Sequence, residues 1–361
     1  MLRRILVALS GGVDSAVAAA LLKQSGHELI GVTMQICPCE PATVSTALRR
    51  GCYGVWKGND IDDARRVAQH LAIPFHIIDL CHEYERDVLD EVVLGYSHGR
   101  TPNPCVYCNS RIKFGALIDS AQKAGLQFDF IATGHYANVE YDVACGRFLL
   151  KKGVDAQKDQ SYFLSFLNQK QLGVALFPLG SYSKSQVRRM AAELGLPVSD
   201  KVESQDFVSG GYQTLLHGEE QQGPILDGQG RKIGVHNGIA RYTIGQRKGL
   251  NVSTCEKLYV TKILPDTNTI VVGTEIDLEE REFQVSCLNW IAVDRLSCAT
   301  RAEIKIRSKA ELAMASVNPL DDSVSVVFDV PQKRITPGQA AVFYHDTVVL
   351  GAGIIDVVPV P

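Results

Sequence analysis

A short polar turn near the start of the chain has residue types that bind phosphate. It reads Ser10-Gly11-Gly12-Val13-Asp14-Ser15, after an apolar run at residues 5–9 and before an alanine-rich stretch. Glycines let backbone N–H groups approach an anion closely, and a helix start adds partial positive charge. The serine hydroxyls are further donors, and the Asp14 carboxylate could hold magnesium on the phosphates. The hexapeptide predicts a phosphate site, although a Gly-Gly pair alone is usually only a turn.

A second reactive element is the pair Cys105 and Cys108, which follows two prolines and precedes a helix predicted to begin near Ser110. Thiols three residues apart can reach one centre. A helix start lowers the pKa of a thiol, and Arg111 and Lys113 add positive charge nearby, so the pair favours the thiolate that attacks carbon, binds iron or receives sulfur. Structural zinc would need two further ligands, and the sequence contains no second Cys-x-x-Cys or His pair.

Alternating strands and amphipathic helices must position these residues. The pattern predicts strands over residues 5–9, 29–36, 75–80 and 128–133, and helices over residues 15–25, 60–71 and 112–124. Such parallel sheets bind ligands beyond the carboxyl ends of their strands, so residues 10–14, 34–39 and 133–135 are expected at one crevice. The predicted fold class is therefore α/β, a parallel sheet with helices on both faces.

The remainder of the chain has a different pattern. A polar helical stretch is predicted over residues 157–194, and from residue 223 short β-branched runs alternate with turn residues, which is typical of small β-barrels or sandwiches. The predicted domains are an α/β domain with the phosphate turn at 1–150, a helical segment at 151–220, a small central β domain at 221–275 and a C-terminal β-barrel at 276–361.

Composition sets limits on these interpretations. A chain of 361 residues with 45% hydrophobic content is too long for one typical domain. It has no apolar run of about 18 residues and no signal-peptide pattern, which predicts a cytoplasmic protein without a membrane partner. Ten cysteines in such a protein are not expected to form a disulfide scaffold. The net charge of −3 neither supports nor excludes RNA, which would need a local basic face.

The phosphate turn resembles the pyrophosphate-binding loop of the N-type ATP pyrophosphatases, which include GMP synthetase and argininosuccinate synthetase. That resemblance implies adenylation of a carbonyl oxygen by ATP. The turn lacks the Gly-Lys-Ser/Thr ending of kinase-type loops, so release of pyrophosphate is favoured over transfer of the terminal phosphate.

Longer motifs narrow the resemblance to one family. The segments are Gly99-Arg100-Thr101-Pro102-Asn103-Pro104, Cys108-Asn109, Ile112-Lys113-Phe114, Ala132-Thr133-Gly134-His135-Tyr136, and those at residues 158–164, 242–250 and 334–339. Through them the chain resembles the bacterial and organellar tRNA-specific 2-thiouridylases. The resemblance implies an adenine nucleotide alpha hydrolase-like fold, ATP and Mg²⁺ as cofactors, and tRNA for Lys, Glu and Gln as partners. It also implies that sulfur replaces the C2 oxygen of the anticodon wobble uridine, whose base flips out for attack.

The same resemblance implies roles for individual residues. Cys108 and Cys105 would be catalytic. The nucleotide would contact Ala8, Leu9, Ser10, Gly11, Gly12, Val13, Asp14, Ser15, Met34 and Gly134. The tRNA would contact Asn103, Pro104 and Cys105 at the target base, and elsewhere Lys158, Asp159, Gln160, Arg307 and Ser308.

Two positions depart from the family. Val208 stands where a persulfide-bearing cysteine is expected, and Cys105 stands where many members have an aspartate. Three mechanisms stay open. Cys105 and Cys108 could divide persulfide and resolving roles. They could instead hold a 4Fe–4S cluster with Cys37, Cys39 or Cys52. In the third mechanism, a separate sulfur donor protein or free sulfide supplies the sulfur directly.

Two other functions are compatible with the sequence. An amide-forming N-type pyrophosphatase would need no cysteine pair, and a tRNA-binding relic would have no reason to keep the phosphate turn. The other five cysteines, at positions 81, 145, 255, 287 and 298, are interpreted as packing residues. His135 could touch a phosphate or a base, or be a hydrogen-bonded structural residue.

Overall fold

The computed structural model describes residues 2–37, 51–53, 58–202, 206–208, 212–215, 221–252 and 254–356. The chain forms two compact units. The first comprises Met1–Val88, Cys105–Tyr212 and Thr347–Val349, and the second comprises Leu89–Pro104, Gln213–Asp346 and Leu350–Pro361.

The α-helices are α1 Val13–Gln24, α2 Gly58–His70, α3 Cys81–Tyr84, α4 Asp90–Ser97, α5 Pro104–Tyr107, α6 Leu117–Lys123, α7 Ser161–Leu164, α8 Gln169–Val174 and α9 Lys184–Glu193. The strands are β1 Arg4–Ala8, β2 Glu28–Gln35, β3 Gly51–Tyr53, β4 Phe75–Asp79, β5 Phe130–Ala132, β6 Ala137–Asp142, β7 Arg147–Lys152, β8 Ala175–Leu176, β9 Asp206–Val208, β10 Gly223–Leu226, β11 Lys232–His236, β12 Tyr259–Leu264, β13 Thr269–Gly273, β14 Glu279–Trp290, β15 Thr300–Lys305, β16 Ala313–Pro319, β17 Val324–Lys333, β18 Ala340–His345 and β19 Val348–Ile355. Glu85–Leu89 and Cys108–Ala116 are π-helical.

The first unit is built on a parallel sheet with strand order β4-β2-β1-β5-β8. Its central strand β1 is fully buried at Ile5, Leu6 and Val7, which is why it reads as a continuous apolar run and not as an alternating one. Helix α1 is rich in alanine, and its small side chains allow close packing on the sheet. This architecture confirms the predicted α/β fold class.

The segment after β5 adds to the same unit. β6 and β7 form an antiparallel hairpin that the sequence pattern does not predict. The predicted helical stretch at 157–194 contains α7, α8 and α9 together with the short strand β8. Leu179, Val187 and Ala191 belong to the hydrophobic cluster that also includes β1 and α1, so this stretch completes the core of the first unit.

The helix that carries the cysteine pair begins earlier than predicted. Its first residue is Pro104, not Ser110, so both cysteines lie inside the helix. Proline is favoured at a first helical position because its missing N–H would have no partner there. The π-helical segment is supported from outside, because Gln171 Nε2 donates to the carbonyl oxygens of Ser110 at 2.7 Å and Phe114 at 2.9 Å.

The second unit contains two sets of paired β-strands. A four-stranded sheet with order β11-β10-β13-β12 packs around Ile225, Val260 and Ile270. The C-terminal strands follow the order β14-β17-β16-β15-β18-β19, and pairing of β14 with β19 closes them into a barrel around Phe283 and Phe328. The prediction of a C-terminal β-barrel is confirmed.

The position of the missing family cysteine lies in a short parallel pair. β3 pairs with β9, with Gly51 opposite Asp206 and Tyr53 opposite Val208. Cys39 and the neighbouring residues 38–50 lie outside the described residues. Among the described helices, none has both the length and the apolar character that a membrane span requires.

Candidate nucleotide site

The phosphate turn connects the end of β1 to the start of α1, and two serine side chains fix its shape. Ser15 Oγ accepts a hydrogen bond from the backbone N–H of Ser10 at 3.1 Å and donates to the carbonyl oxygen of Gly12 at 3.1 Å. Ser10 Oγ accepts from the backbone N–H of Gly12 at 3.3 Å and lies 3.1 Å from Ser15 Oγ. The turn is therefore shaped by its own hydroxyls before any ligand binds.

Two glycines are required here by close packing. Gly11 has φ +72°, and a Cβ on it would lie 2.2 Å from the carbonyl oxygen of Asp60. Gly134 follows β5, and a Cβ on it would lie 2.6 Å from the backbone nitrogen of Ser15. Only residues without a side chain let the phosphate turn approach Asp60 in α2 on one side and the segment after β5 on the other. Gly134 thus packs directly on the first turn of α1.

These segments enclose a cavity of about 240 Å³. It is lined by Ala8, Leu9, Ser10, Asp14, Ser15, Val32, Thr33, Met34, Asp60, Ile61, Lys113, Thr133, Gly134, His135 and Gln160. The structure thus brings seven of the ten predicted nucleotide residues to one cavity. Gly11, Gly12 and Val13 belong to the same turn but do not line it. The volume is just below the range of about 300–1,000 Å³ for small-molecule sites, so the cavity suits part of a nucleotide.

Asp14 already has partners within the chain. Lys184 Nζ donates to both of its carboxylate oxygens, at 2.7 and 2.8 Å, and the Tyr136 hydroxyl donates to Oδ1 at 2.8 Å. A magnesium ion on this carboxylate would have to displace the ammonium group. The arrangement therefore does not fit the predicted role of Asp14 as a magnesium ligand.

A second lysine fixes the other side of the turn. Lys201 Nζ donates to the Gly11 carbonyl oxygen at 2.9 Å, to Asp60 at 2.6 Å and to Asp63. Burial alone would lower the pKa of Lys201, but its hydrogen bonds to Asp60 and Asp63 outweigh this and raise it. For Asp63, burial opposes ionisation, yet hydrogen bonds from Lys201 and Arg66 leave its pKa lowered. The lysine is thus held in its charged form against the phosphate turn.

His135 is a buried wall residue of the cavity. Its Nδ1 lies 2.7 Å from Thr133 Oγ1, and its ring packs edge-on against Phe177. Burial lowers the pKa of His135 well below its usual value, and the positive charge of Lys113 adds to this effect. The imidazole is therefore neutral at pH 7 and hydrogen-bonded to Thr133, as expected for a histidine that supports the fold.

The cysteine pair lies on the helical run that contributes Lys113 to the lining of the cavity. Cys105 and Cys108 are partly buried, and their spacing places them about one turn apart on similar faces. Lys113 follows Cys108 by five residues, which is one turn of the i to i+5 hydrogen-bonding pattern of this π-helical segment. Lys113 lines the cavity, whereas the described lining includes neither cysteine.

Among the described residues, no group of three or more His, Cys, Asp or Glu side chains could hold a metal ion. The predicted cluster ligands, Cys105 and Cys108 with Cys37, Cys39 or Cys52, stay a prediction. The side chains of Cys39 and Cys52 lie outside the described residues. The packing interpretation is wrong for four of the other cysteines, because the side chains at positions 145, 255, 287 and 298 are exposed.

The predicted tRNA-contacting residues fall in both units. In the first, Asp159 accepts from the backbone N–H groups of Gly153 and Ser161, and Gln160 Oε1 accepts from the N–H of Tyr136. In the second, Asn103 precedes α5, and residues 307–308 lie in the loop between β15 and β16. These hydrogen bonds show that Asp159 and Gln160 also stabilise the fold. Their contacts with tRNA stay predictions.

Sequence patterns do not reveal the lysines behind the cavity. Lys184 is 170 residues from Asp14, and Lys201 is 190 residues from Gly11. No local signal marks such partners. For Lys113 the sequence predicts only positive charge near the thiols, and its place in the cavity wall is a finding of the structure.

Together, the parallel sheet, the phosphate turn and the cavity define an α/β nucleotide-binding protein of the N-type ATP pyrophosphatase class. Family models match three segments: a tRNA methyl transferase HUP domain at residues 3–209, a tRNA methyl transferase PRC-barrel domain at residues 215–274 and an aminomethyltransferase β-barrel domain at residues 280–355.

Curated relatives give the family more specifically. A tRNA-specific 2-thiouridylase MnmA of Moorella thermoacetica is 44% identical over 97% of this chain and 99% of the relative. Proteins of the same name from Endomicrobium trichonymphae and Acetivibrio thermocellus are 43% and 42% identical, each over 98% of this chain and 98% and 99% of the relative. The chain belongs to the tRNA-specific 2-thiouridylase family, which confirms the resemblance seen in its motifs.

Proposed function

We propose that this chain is an ATP-dependent tRNA 2-thiouridine synthase. It adenylates the C2 oxygen of the wobble uridine in the anticodons of tRNA for Lys, Glu and Gln, and it replaces that oxygen with sulfur. AMP and pyrophosphate are released. The relatives of the same length carry the name of this activity, and one observation in the structure supports it most strongly. The cavity at the phosphate turn is lined in part by Lys113, which lies five residues after Cys108 on the helical run that carries the cysteine pair.

Activation is needed because a ring carbonyl is a poor electrophile and oxide is a very poor leaving group. In the first step the C2 oxygen attacks the α-phosphorus of ATP, the α–β phosphoanhydride bond breaks, and pyrophosphate leaves with the electron pair. The N3 proton passes to solvent, which leaves a neutral O-adenylated base. Magnesium would neutralise part of the phosphate charge of ATP, and Asp14 is not assigned as its ligand because Lys184 holds the carboxylate.

The second step is written for a persulfide on one cysteine of the pair. Its terminal sulfur attacks C2, and AMP leaves with the former C2 oxygen. The second cysteine then attacks the inner sulfur, the S–S bond to the base breaks, and 2-thiouridine departs as the pair becomes a disulfide. A thiol reductant restores the dithiol, and a sulfur donor protein reloads the persulfide. Spacing of one helical turn allows this exchange without another cysteine at position 208.

A route through an iron–sulfur cluster would need a third thiol beside Cys105 and Cys108. The described residues contain no group of three or more metal-binding side chains, and the side chains of Cys39 and Cys52 lie outside them. Direct supply of sulfide is a variant of the same scheme in which HS⁻ attacks C2 and both cysteines stay reduced. Nucleoside analysis with and without added sulfide separates the two. Iron and labile-sulfide assays on protein purified without oxygen test the cluster route, which an iron-free active protein would eliminate.

Further contacts with the substrate follow from the family pattern. Asn103, Pro104 and Cys105 are proposed to receive the flipped uridine, and Lys158, Asp159 and Gln160 to contact the tRNA backbone. Arg307 and Ser308 are proposed as contacts of the C-terminal barrel.

The deciding experiment compares two cysteine variants in two assays. Unmodified tRNA is incubated with ATP and a sulfur source, and both 2-thiouridine and pyrophosphate are measured. We expect Cys108→Ser to lower thiolation at least about 10³-fold, as for loss of a nucleophile, while pyrophosphate release persists. Cys298→Ser is the matched control, because Cys298 is exposed in the barrel and should retain full activity.

The competing functions give different results in this experiment. An amide-forming enzyme would survive Cys108→Ser and would release pyrophosphate without tRNA. A binding relic would release no pyrophosphate at all. Either result would refute the proposed function.

A further inference from the structure

The charges on the cavity wall do not balance among the described residues. Three charged side chains line it: Asp14, Asp60 and Lys113. Each acid is neutralised from behind, Asp14 by Lys184 and Asp60 by Lys201, at nitrogen–oxygen distances of 2.6 to 2.8 Å. Lys113 forms no ion pair within the described part of the chain. The wall therefore carries one surplus positive charge that faces the ligand space.

Lys113 stands at a defined place on that wall. It follows Cys108 by five residues, about one turn of the π-helical segment. Its charge adds to the effect of burial in lowering the pKa of His135, which directly follows Gly134. Lys113 and His135 both line the cavity, so the helical run that carries the cysteines contributes its positive charge to the same ligand space as the end of β5.

We infer that Lys113 is a catalytic residue for adenylation, whose ammonium group contacts the α-phosphate of ATP and stabilises the charge that develops there. This inference rests on the proposed function, since it assigns a residue to the first of the two steps. In the proposed binding mode, the turn at Ser10 to Ser15 holds the outer phosphates, and Met34 and Gly134 flank the adenosine. The α-phosphate joins these two parts of ATP, so it is the phosphate that we assign to Lys113 in the same cavity.

The chemistry needs a cation at this point. As the C2 oxygen bonds to the α-phosphorus and the bond to the bridging oxygen breaks, negative charge grows on the non-bridging α-oxygens and on the leaving pyrophosphate. Preorganised donors aimed at such charge stabilise the transition state more than the ground state. Lys113 donates hydrogen bonds throughout and keeps its proton, so no proton transfer to or from it is required.

A different role would act on the thiol. Positive charge one helical turn away could favour the thiolate of Cys108 and so assist sulfur transfer. The two roles fall on different steps. Pyrophosphate release reports the first step, and 2-thiouridine formation reports both.

The experiment uses full-length protein with Lys113→Met, Lys113→Arg and the control Lys123→Met. Lys123 is an exposed lysine at the end of α6, on the same helical run and away from the cavity wall. Binding is measured with α,β-methylene-ATP, which cannot form the adenylate. Single-turnover pyrophosphate release is measured with saturating ATP and unmodified tRNA. Thermal melting checks folding, and Lys113→Gln replaces the methionine variant if the latter melts early.

We expect Lys113→Met to slow pyrophosphate release about 10²- to 10³-fold while affinity for the analogue falls less than about tenfold. Lys113→Arg should restore at least a tenth of the rate, and Lys123→Met should match wild type. Unchanged pyrophosphate release with lost thiolation would overturn the inference in favour of the thiol role. Equal losses in affinity and rate would also overturn it, because they indicate uniform binding. If wild type releases no pyrophosphate with tRNA, the proposed function itself fails.

Discussion

Replacement of Gly134 by alanine tests whether close packing at the helix start positions the nucleotide. The added methyl group would lie 2.6 Å from the backbone nitrogen of Ser15 and 2.7 Å from the carbonyl carbon of Asp14. Ordinary contacts begin near 3.4 Å, so the first turn of α1 must move by about 0.8 Å. Both neighbours are backbone atoms, so no side-chain rotation can relieve the overlap.

The expected cost has two parts. Overpacking of this kind costs about 1–3 kcal/mol of unfolding free energy. A misplacement near 1 Å at a reacting centre lowers the rate about 10²-fold. We therefore expect Gly134→Ala to stay folded at 25 °C with a lower urea midpoint, and tRNA-dependent pyrophosphate release to fall about 10²-fold.

The control is Gly228→Ala. Gly228 lies between β10 and β11, would have nothing within 4 Å of an added methyl group and has no left-handed φ. Gly228→Ala should match wild type in its urea midpoint and in tRNA-dependent pyrophosphate release. Wild-type stability and turnover in Gly134→Ala would refute the argument that this contact positions the phosphate turn.

Two further predictions concern the charged and buried groups around the cavity. Lys201→Met removes the donor that joins the Gly11 carbonyl oxygen, Asp60 and Asp63. Because these groups are partly exposed, we expect the unfolding free energy at pH 7, measured with urea, to fall by about 1–2 kcal/mol. Because folding raises the pKa of Lys201, its contribution to the unfolding free energy is complete below pH 10.5 and is lost as the pH rises through the pKa of the folded state. Because folding lowers the pKa of Asp63, its contribution to the unfolding free energy is present above pH 3.8 and is lost on acidification. An unchanged urea midpoint would count against the role of Lys201 in stabilising the turn. The pKa of His135 is lowered in the folded protein, so the unfolded chain binds a proton there more readily than the folded chain does. The unfolding free energy of wild type should therefore fall as the pH drops below 6.5, by at most about 1.4 kcal/mol per pH unit. Thermal melts at pH 7.5 and 5.5 should show a smaller drop for His135→Asn, and equal drops in the two proteins would contradict this expectation.

Local chemistry explains what the sequence could predict. The phosphate turn is six consecutive residues between a buried strand and an alanine-rich helix, so strand, turn and helix could be placed from one stretch of chain. The parallel order of β2, β1 and β5 follows from the same alternation of strands and helices.

The features that the sequence did not predict depend on long-range contacts and on where helices begin. Asp14 looks like a metal ligand in isolation, and only the folded chain brings Lys184 to it from 170 positions away. The sequence pattern places the prolines before Cys105 outside the helix, whereas Pro104 is its first residue. Burial of single cysteines could not be predicted either, because composition does not say which face of a strand or loop is exposed.

The closure of the C-terminal strands into a ring restricts how RNA can meet this part of the protein. In the ring formed by β14 to β19, every strand has a neighbouring strand on each side, so none of them is an edge strand that could pair with another backbone along its length. The proposed tRNA contacts Arg307 and Ser308 lie in the loop between β15 and β16, so in that proposal the barrel meets RNA through loop side chains and not through strand pairing. Such a loop can change in sequence while the strands that present it keep their pairing.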